Sequence, residues 1–159
     1  MFRVLTCNMC SIDSNCVFNN PHQNNNNMKA TELMIGDWVF IDHCSNRLEP
    51  CFGQVKGIDK NGEDVYTTDG MVDISLLKPI PLTEERLLAN GFGYERNIGY
   101  VYDDGEYEVV VDLWNHGYRI LHDRDVVMNI HCFSDVFVHE LQHALRLCDV
   151  DKEITMKEN

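Results

Sequence analysis

His139, Glu140 and His143 form the arrangement in this chain that is most suggestive of chemistry. They match the pattern His-Glu-x-x-His inside the stretch FVHELQHALRLCDV. Residues four positions apart on a helix project side by side, so both imidazoles could bind one zinc ion. Glu140 would then be the catalytic general base that activates a metal-bound water. The spacing therefore predicts a zinc-dependent hydrolase or peptidase as one function of this chain.

The third zinc ligand that such a site needs is not evident in the sequence. In one zinc-peptidase pattern a glycine three residues after the second histidine breaks the helix, but Arg146 occupies that position. A second pattern takes a glutamate from a later helix, whereas Glu153 lies in a short charged segment. Three upstream histidines belong to no ligand pattern: His116, His122 and His131. We therefore expect no cofactor, and keep zinc or nickel binding by His139 and His143 as the alternative.

The helix that carries the motif is predicted to run from Ser134 to about Cys148. Ser134 is a residue type that caps helix N-termini. Apolar side chains recur on one face, which we expect to pack against a sheet: Phe137, Val138, Leu141, Ala144, Leu145 and Cys148. His139 and His143 lie on the opposite face with Gln142 and Arg146. That polar face is expected to border a substrate cleft or to be exposed to solvent.

Residues 28–81 have the pattern of a small β-barrel. Short segments rich in β-branched and aromatic residues alternate with turns rich in Asn, Gly and Pro, and Asn61-Gly62 is a favourable hairpin turn. The predicted strands are Asp37–His43, Cys51–Ile58, Glu63–Thr68 and a short one near Val72–Ile74. Strands this short, connected this tightly, predict an SH3-like barrel.

Residues 82–150 are predicted to form a second unit that mixes helices and strands. A helix within Pro81–Phe92 has Thr83 as its N-cap and ends at Asn90-Gly91. An antiparallel meander follows, with strands at Ile98–Asp104, Glu106–Trp114 and Gly117–His122, and Val126–Cys132 is either a further edge strand or a connector. The C-terminal amphipathic helix completes the unit, and residues 151–159 form a polar tail. The expected fold class is α+β.

The acidic composition excludes several classes of partner. The chain has 159 residues, with 13 Lys and Arg against 26 Asp and Glu, so its formal net charge is −13. Such a charge repels phosphate, which disfavours direct nucleic-acid binding and leaves an acidic DNA-mimic inhibitor as an alternative function.

No apolar run is long enough to span a membrane, and no secretory signal is recognisable. A cytoplasmic protein with seven reduced cysteines is expected, because an odd count at irregular spacing argues against a disulfide framework.

The first 27 residues differ in composition from the rest of the chain. They contain eight asparagines, including the run Asn24–Asn27 directly before Met28. Regular apolar patterning begins only after Met28. We therefore predict that residues 1–27 are a disordered leader and that Met28 is the biological start.

Three blocks of the sequence resemble a family of small hypothetical proteins of anaerobic gut bacteria and their phages and prophages. The blocks are ELMIGDWV, IPLTEERLLANGF and VHELQHALRLC. The resemblance implies a protein of phages or mobile elements and implies no activity. In that family the closing block often has Gln at the position of Glu140 and Asn at that of His143, which implies that zinc chemistry is not a shared function.

A non-enzymatic protein-binding or adaptor module is the function that the sequence favours. Small barrels of the expected type commonly bind partners in an aromatic groove. Four aromatic residues of the predicted barrel are the candidates for this groove: Trp38, Phe40, Phe52 and Tyr66. The sequence does not identify the partner protein.

Overall fold

The computed structural model describes residues 28–43, 49–131 and 135–156. Within these ranges ten strands form two antiparallel five-stranded sheets, and two α-helices accompany them. The α+β class is thereby confirmed. Two expectations, the leader at residues 1–27 and the helix cap Ser134, lie outside the described residues.

The first sheet comprises strands β1 to β5 in the spatial order β4-β3-β2-β1-β5. Their bounds are β1 Trp38–Ile41, β2 Cys51–Ile58, β3 Asp64–Thr67, β4 Gly70–Asp73 and β5 Leu77–Lys78. Because β1 pairs with both β2 and β5, the sheet curls around one cluster of buried side chains. The members of this first cluster are Met28, Leu33, Val39, Ile41, Cys51, Val55, Val65, Val72 and Leu77.

Local sequence signals account for most of the first sheet. The Asn61-Gly62 turn forms as predicted, with Gly62 at a φ of +74°. The Asp59 carboxylate accepts hydrogen bonds from the backbone N–H groups of Asn61, Glu63 and Asp64, which fixes that turn. Strand β5 was not predicted, because two residues after a 3-10 helical turn at Ile74–Leu76 carry no periodic signal.

The second sheet is a meander in the order β10-β9-β8-β7-β6. Its strands are β6 Gly93–Glu95, β7 Gly99–Asp103, β8 Tyr107–Asp112, β9 Gly117–His122 and β10 Asp125–His131. Strands β7, β8 and β9 match predicted strands within a few residues, and β10 corresponds to the edge-strand alternative for Val126–Cys132. The short β6 was not predicted. The antiparallel meander is therefore confirmed.

Helix α1, Glu84–Ala89, forms where both of its ends were predicted. The Thr83 hydroxyl accepts a hydrogen bond from the backbone N–H of Arg86 and caps the N-terminus. At the other end the backbone N–H of Phe92 donates to the carbonyl of Leu87, which closes the last turn.

Helix α2, Val138–Leu147, begins later than the sequence predicted. Phe137 is extended and pairs with Pro81 in an isolated antiparallel bridge. The backbone N–H of Leu82 donates to the carbonyl of Val136, and that of Val138 donates to the carbonyl of Ile80. These hydrogen bonds hold the chain extended up to Phe137, so the predicted start at Ser134 is wrong.

A second cluster of buried side chains lies between α1, α2 and the second sheet. It includes Leu141, Ala144 and Leu145 of α2 together with Val109, Val111 and Ile120 of the sheet. The predicted packing against a sheet is thereby found for Val138, Leu141, Ala144 and Leu145, with Cys148 partly buried beside them, whereas Phe137 precedes the helix and is not part of this cluster. Ile154, from the segment expected to be a polar tail, is buried in the same cluster, and Thr155 hydrogen bonds with Asn90.

Two further observations concern the chain as a whole. Cys51 is disulfide-bonded, so the expectation that all seven cysteines are reduced is wrong at this position. In the described part of the chain, neither helix combines the length and the apolar character that crossing a membrane requires.

Candidate functional site

The polar face of α2 contacts the segment that leads into β1. Asp37, directly before β1, is completely buried. Its Oδ2 lies 2.7 Å from His143 Nε2, and its Oδ1 accepts a hydrogen bond from Arg146 Nη1 at 2.7 Å. The backbone N–H of Met34 also donates to Oδ2, at 2.7 Å. One carboxylate thus joins the first sheet to two successive turns of α2.

The hydrogen bonds to Asp37 determine its protonation state. Burial tends to raise the pKa of the carboxyl group, because it disfavours the charged form. The hydrogen bonds from His143, Met34 and Arg146 act in the opposite direction and outweigh burial, so the pKa lies below its usual value. Asp37 is therefore an anion at neutral pH although solvent does not reach it.

Gln142 forms a second connection between α2 and β1. Its side-chain Oε1 accepts a hydrogen bond from the backbone N–H of Trp38 at 3.1 Å. Its Nε2 donates to the carbonyl of Gly36 at 3.3 Å. Gln142 is only 3% exposed, so the face that was expected to meet solvent or a cleft is instead an internal interface.

His139 is also buried in this interface and is 6% exposed. Its Nδ1 has no hydrogen-bond partner among the described residues. Burial lowers its pKa from 6.5 to about 4; the carboxylates of Asp37 and Glu32 oppose this shift, and His143 adds to it. The imidazole is therefore neutral at physiological pH.

Glu140 acts on the backbone of its own helix. Its Oε2 accepts a hydrogen bond from the backbone N–H of Phe137 at 3.0 Å. This contact is one half of a capping box and stabilises the first turn of α2. The sequence assigned Glu140 a general-base role, and its position in the structure supplies a structural reason for a glutamate here.

The positions of His139 and His143 determine whether their imidazoles could bind a metal ion together. Their ring centroids lie 5.8 Å apart, but Nε2 of His143 is held by Asp37. Within the described residues, no group of three or more His, Cys, Asp or Glu side chains is arranged to hold a metal ion. The arrangement joins the first sheet to α2, and zinc or nickel binding by His139 and His143 stays a prediction.

Asp37 is the member of this site that the sequence reasoning missed. The sequence pattern places it only as the first residue of a predicted strand, within the block ELMIGDWV. The available signal was an acidic residue directly before a buried apolar strand, where an unpaired charge is costly. Its side-chain partners, His143 and Arg146, lie more than one hundred residues away, so no local pattern identifies them.

A separate groove lies where β1 and β2 meet the segment before α1. It encloses about 400 Å³, and its lining includes Phe40, Phe52, Pro81, Arg86 and Phe137. The two rings of the first sheet meet edge to face, with their centroids 5.7 Å apart. The Arg86 guanidinium lies over the Phe52 ring, at 5.7 Å from its centroid. Lys78 and Asp135 also line the groove, which thus combines aromatic surface with charged groups of both signs.

The four predicted groove residues separate into three environments. Phe40 and Phe52 line the groove together. Trp38 packs against the second cluster, and its buried indole N–H has no hydrogen-bond partner among the described residues. Tyr66 lies on β3, does not line the groove, and is 49% exposed. Two of the four candidates are therefore brought together.

Comparison of the chain with protein-family models, with curated protein sequences and with solved structures finds no match.

Proposed function

We propose that this protein is a non-enzymatic protein-binding module whose groove at Phe40 and Phe52 receives an extended segment of a partner protein. The observation that carries the proposal is the pair of half-buried rings lining an open groove of about 400 Å³. Aromatic rings supply large apolar contact area and often dominate the energy of protein interfaces. The proposed activity requires no cofactor.

The arrangement of the first sheet supports likeness to an SH3-like barrel. Five short antiparallel strands follow the order β4-β3-β2-β1-β5, and a 3-10 helical turn, Ile74–Leu76, precedes the last strand. Modules of this type bind extended peptides on an aromatic surface, so side chains of the peptide enter pockets between the rings. The groove beside β1 and β2 is the corresponding surface in our proposal.

Arg86 gives the groove a polar anchor for the peptide. Its Nη1 donates to the carbonyl of Pro81 at 3.0 Å, which fixes the guanidinium above Phe52. In the described part of the chain Arg86 forms no salt bridge. A peptide that places an apolar side chain between the rings and an acceptor next to Arg86 therefore fits both features.

The resemblance to phage and prophage proteins supports a proposal about where the protein acts and what encodes it. We propose that the protein acts in the bacterial cytoplasm, as the product of a phage or mobile element, and that its partner is a protein of the host or of the phage. The formal net charge of −13 favours partners with basic surface around the bound segment.

Selection from a library of random peptides displayed on phage tests the proposal with the full-length protein. We expect a consensus peptide whose affinity falls at least about tenfold in a Phe52→Leu variant, equivalent to about 1.4 kcal/mol. Tyr66→Leu is the matched control, because it removes an exposed aromatic ring from the same sheet outside the groove. Failure to select any peptide, or equal losses in the two variants, would contradict the proposal.

Metal analysis distinguishes this function from the zinc-hydrolase alternative. The protein, purified without a histidine tag, is expected to contain less than stoichiometric zinc or nickel. A His143→Asn variant is expected to have the same metal content. Stoichiometric zinc in the wild type that is lost in the variant would favour the hydrolase.

A further inference from the structure

A second recess lies on the face of the second sheet that points away from the helices. It encloses about 300 Å³. Its polar lining includes Asn97, Asp112, Asn115, Arg119, Asn129 and His131, and its apolar lining includes Ile98 and Val110. Neither the proposed peptide groove nor the α2 interface shares these residues. The recess is therefore a separate candidate site.

Gly117 lies in the lining of this recess at a position where β9 and β10 approach each other closely. Asp112 of β8, Gly117 of β9 and His131 of β10 form one cross-strand row. A Cβ atom at Gly117 would lie 2.6 Å from the carbonyl oxygen of Ile130. That Cβ atom would also lie 3.3 Å from Nδ1 of His131, so the backbone of β10 and the His131 ring occupy the space over Gly117 and only glycine fits there.

Some of the lining side chains form hydrogen bonds within the protein, whereas others do not. Asp112 accepts hydrogen bonds from the backbone N–H groups of Trp114 and Asn115 and from the Asn115 side chain, so it holds the β8–β9 turn in place. Four lining side chains make no side-chain hydrogen bond with other described residues: Asn97, Arg119, Asn129 and His131. The Arg119 guanidinium helps to lower the pKa of Asp112, whereas the amides of Asn97 and Asn129 and the His131 imidazole are available to a ligand.

The charge of the recess indicates the kind of ligand. Arg119 and Asp112 are its only formally charged lining residues, and their charges cancel. A phosphate group would meet the Asp112 carboxylate, and a cation would meet the Arg119 guanidinium. Amide, imidazole and guanidinium groups around a neutral recess instead match a ligand rich in hydroxyl groups, which both donates and accepts hydrogen bonds.

Trp114 is an exposed aromatic residue next to the recess, although it is not one of the residues that line it. It lies in the β8–β9 turn between two lining residues, Asp112 and Asn115, and is 83% exposed. An indole ring offers a flat apolar face against which the C–H face of a sugar ring can pack. We infer that this recess is a binding site for a neutral saccharide, with Trp114 as the stacking platform and Arg119 and Asn129 as hydrogen-bond partners.

Titration of the isotope-labelled full-length protein, followed by NMR, tests this inference. The probes are N-acetylglucosamine, glucose, galactose and mannose, with inorganic phosphate as the charged comparator. We expect one of these sugars to shift the indole N–H signal of Trp114 and the side-chain amide signals of Asn129, with saturation near 10 mM for a dissociation constant of about 1 mM. No shift with any of the four sugars, or larger shifts with phosphate, would overturn the inference.

Variants locate the binding to the recess. Trp114→Ala and Arg119→Ala, both at exposed positions, are each expected to weaken sugar binding at least about tenfold. Leu147→Ala is the control, because Leu147 is a 72% exposed apolar residue on α2. Sugar binding that persists in both recess variants, or that is lost equally in the control, would overturn the assignment. Neither outcome bears on the peptide groove, whose residues these variants leave unchanged.

Discussion

At the scale of single residues, Asp37 is the most constrained side chain of the interface between the first sheet and α2. It is a completely buried anion that is stabilised by His143, Arg146 and one backbone N–H. A buried charge of this kind contributes to stability only while its partners are present. Removing one partner leaves the buried carboxylate with fewer hydrogen bonds to offset its desolvation.

Replacement of Asp37 by asparagine tests this dependence with little change in side-chain volume. We expect Asp37→Asn to lower the free energy of unfolding by about 3 kcal/mol, because Arg146 and His143 lose their buried anion. Asp42→Asn is the matched control: Asp42 pairs with Lys78, but their side chains are 30% and 39% exposed. That change should cost less than about 1 kcal/mol. Urea unfolding measures both, and equal losses would show that Asp37 does not stabilise this interface.

His139 is expected to make the stability depend on pH. Its pKa is about 4 in the folded protein, against 6.5 as the unperturbed value. Between these values the unfolded chain binds a proton that the folded protein excludes. The contribution of neutral His139 to the free energy of unfolding is therefore complete above pH 6.5 and is lost as the pH falls towards 4. The total loss amounts to about 3 kcal/mol. Asp37, whose pKa is lowered, adds a further loss only below its usual value of 3.8.

Urea unfolding at a series of pH values measures this dependence, with His139→Leu as the comparison. The variant should lack the loss of stability between pH 6.5 and 4 that His139 causes in the wild type. An NMR titration of the His139 ring with a midpoint near 6.5 would contradict the prediction.

At the scale of elements, Glu140 offers a test between a structural and a catalytic role. In the structure its side chain caps the first turn of α2 through the backbone N–H of Phe137. Glu140→Gln keeps an acceptor oxygen, so the free energy of unfolding should change by less than about 0.5 kcal/mol, whereas Glu140→Ala should lose about 1 kcal/mol. Thermal unfolding measures both variants. Equal destabilisation by both would argue against the capping role.

The two helices show how far local sequence signals reach. The ends of α1 were predictable because Thr83 and Asn90-Gly91 act on the nearest turn of backbone. The start of α2 was not, because residues 136–138 form hydrogen bonds with the segment 80–82, far away in the sequence. The environment of the polar face of α2 also depends on residues that are distant in the sequence. Helical periodicity separated His139 and Gln142 from the apolar residues, but only the fold shows that the segment leading into the first sheet covers them.

At the scale of the whole molecule, α2 lies between the two clusters of buried side chains. Its apolar face belongs to the second cluster, and its polar face hydrogen bonds to the segment that opens the first sheet. The candidate groove residues Phe40 and Phe52 also pack against the second cluster. The peptide groove therefore depends on how firmly the first sheet is held against α2.

Gln142 is the position at which a mutation most directly tests how firmly α2 holds the first sheet. In Gln142→Leu the backbone N–H of Trp38 loses its acceptor, whereas the carbonyl of Gly36 keeps a hydrogen bond from Gln54. One half-buried N–H left without a partner costs about 1–3 kcal/mol. Because this N–H belongs to β1, the first sheet should open more readily than the second.

Native-state hydrogen exchange measures the opening of each sheet separately. In the wild type the slowest amides of β1 and β8 should report the same opening free energy, because α2 holds both sheets. In Gln142→Leu we expect the value for β1 to fall about 2 kcal/mol below that for β8. Gln54→Leu is the control, since Gln54 also contacts Gly36 but lies within the first sheet. If both sheets lost stability equally in Gln142→Leu, α2 would be part of one cooperative core and not a connection that can be weakened on one side.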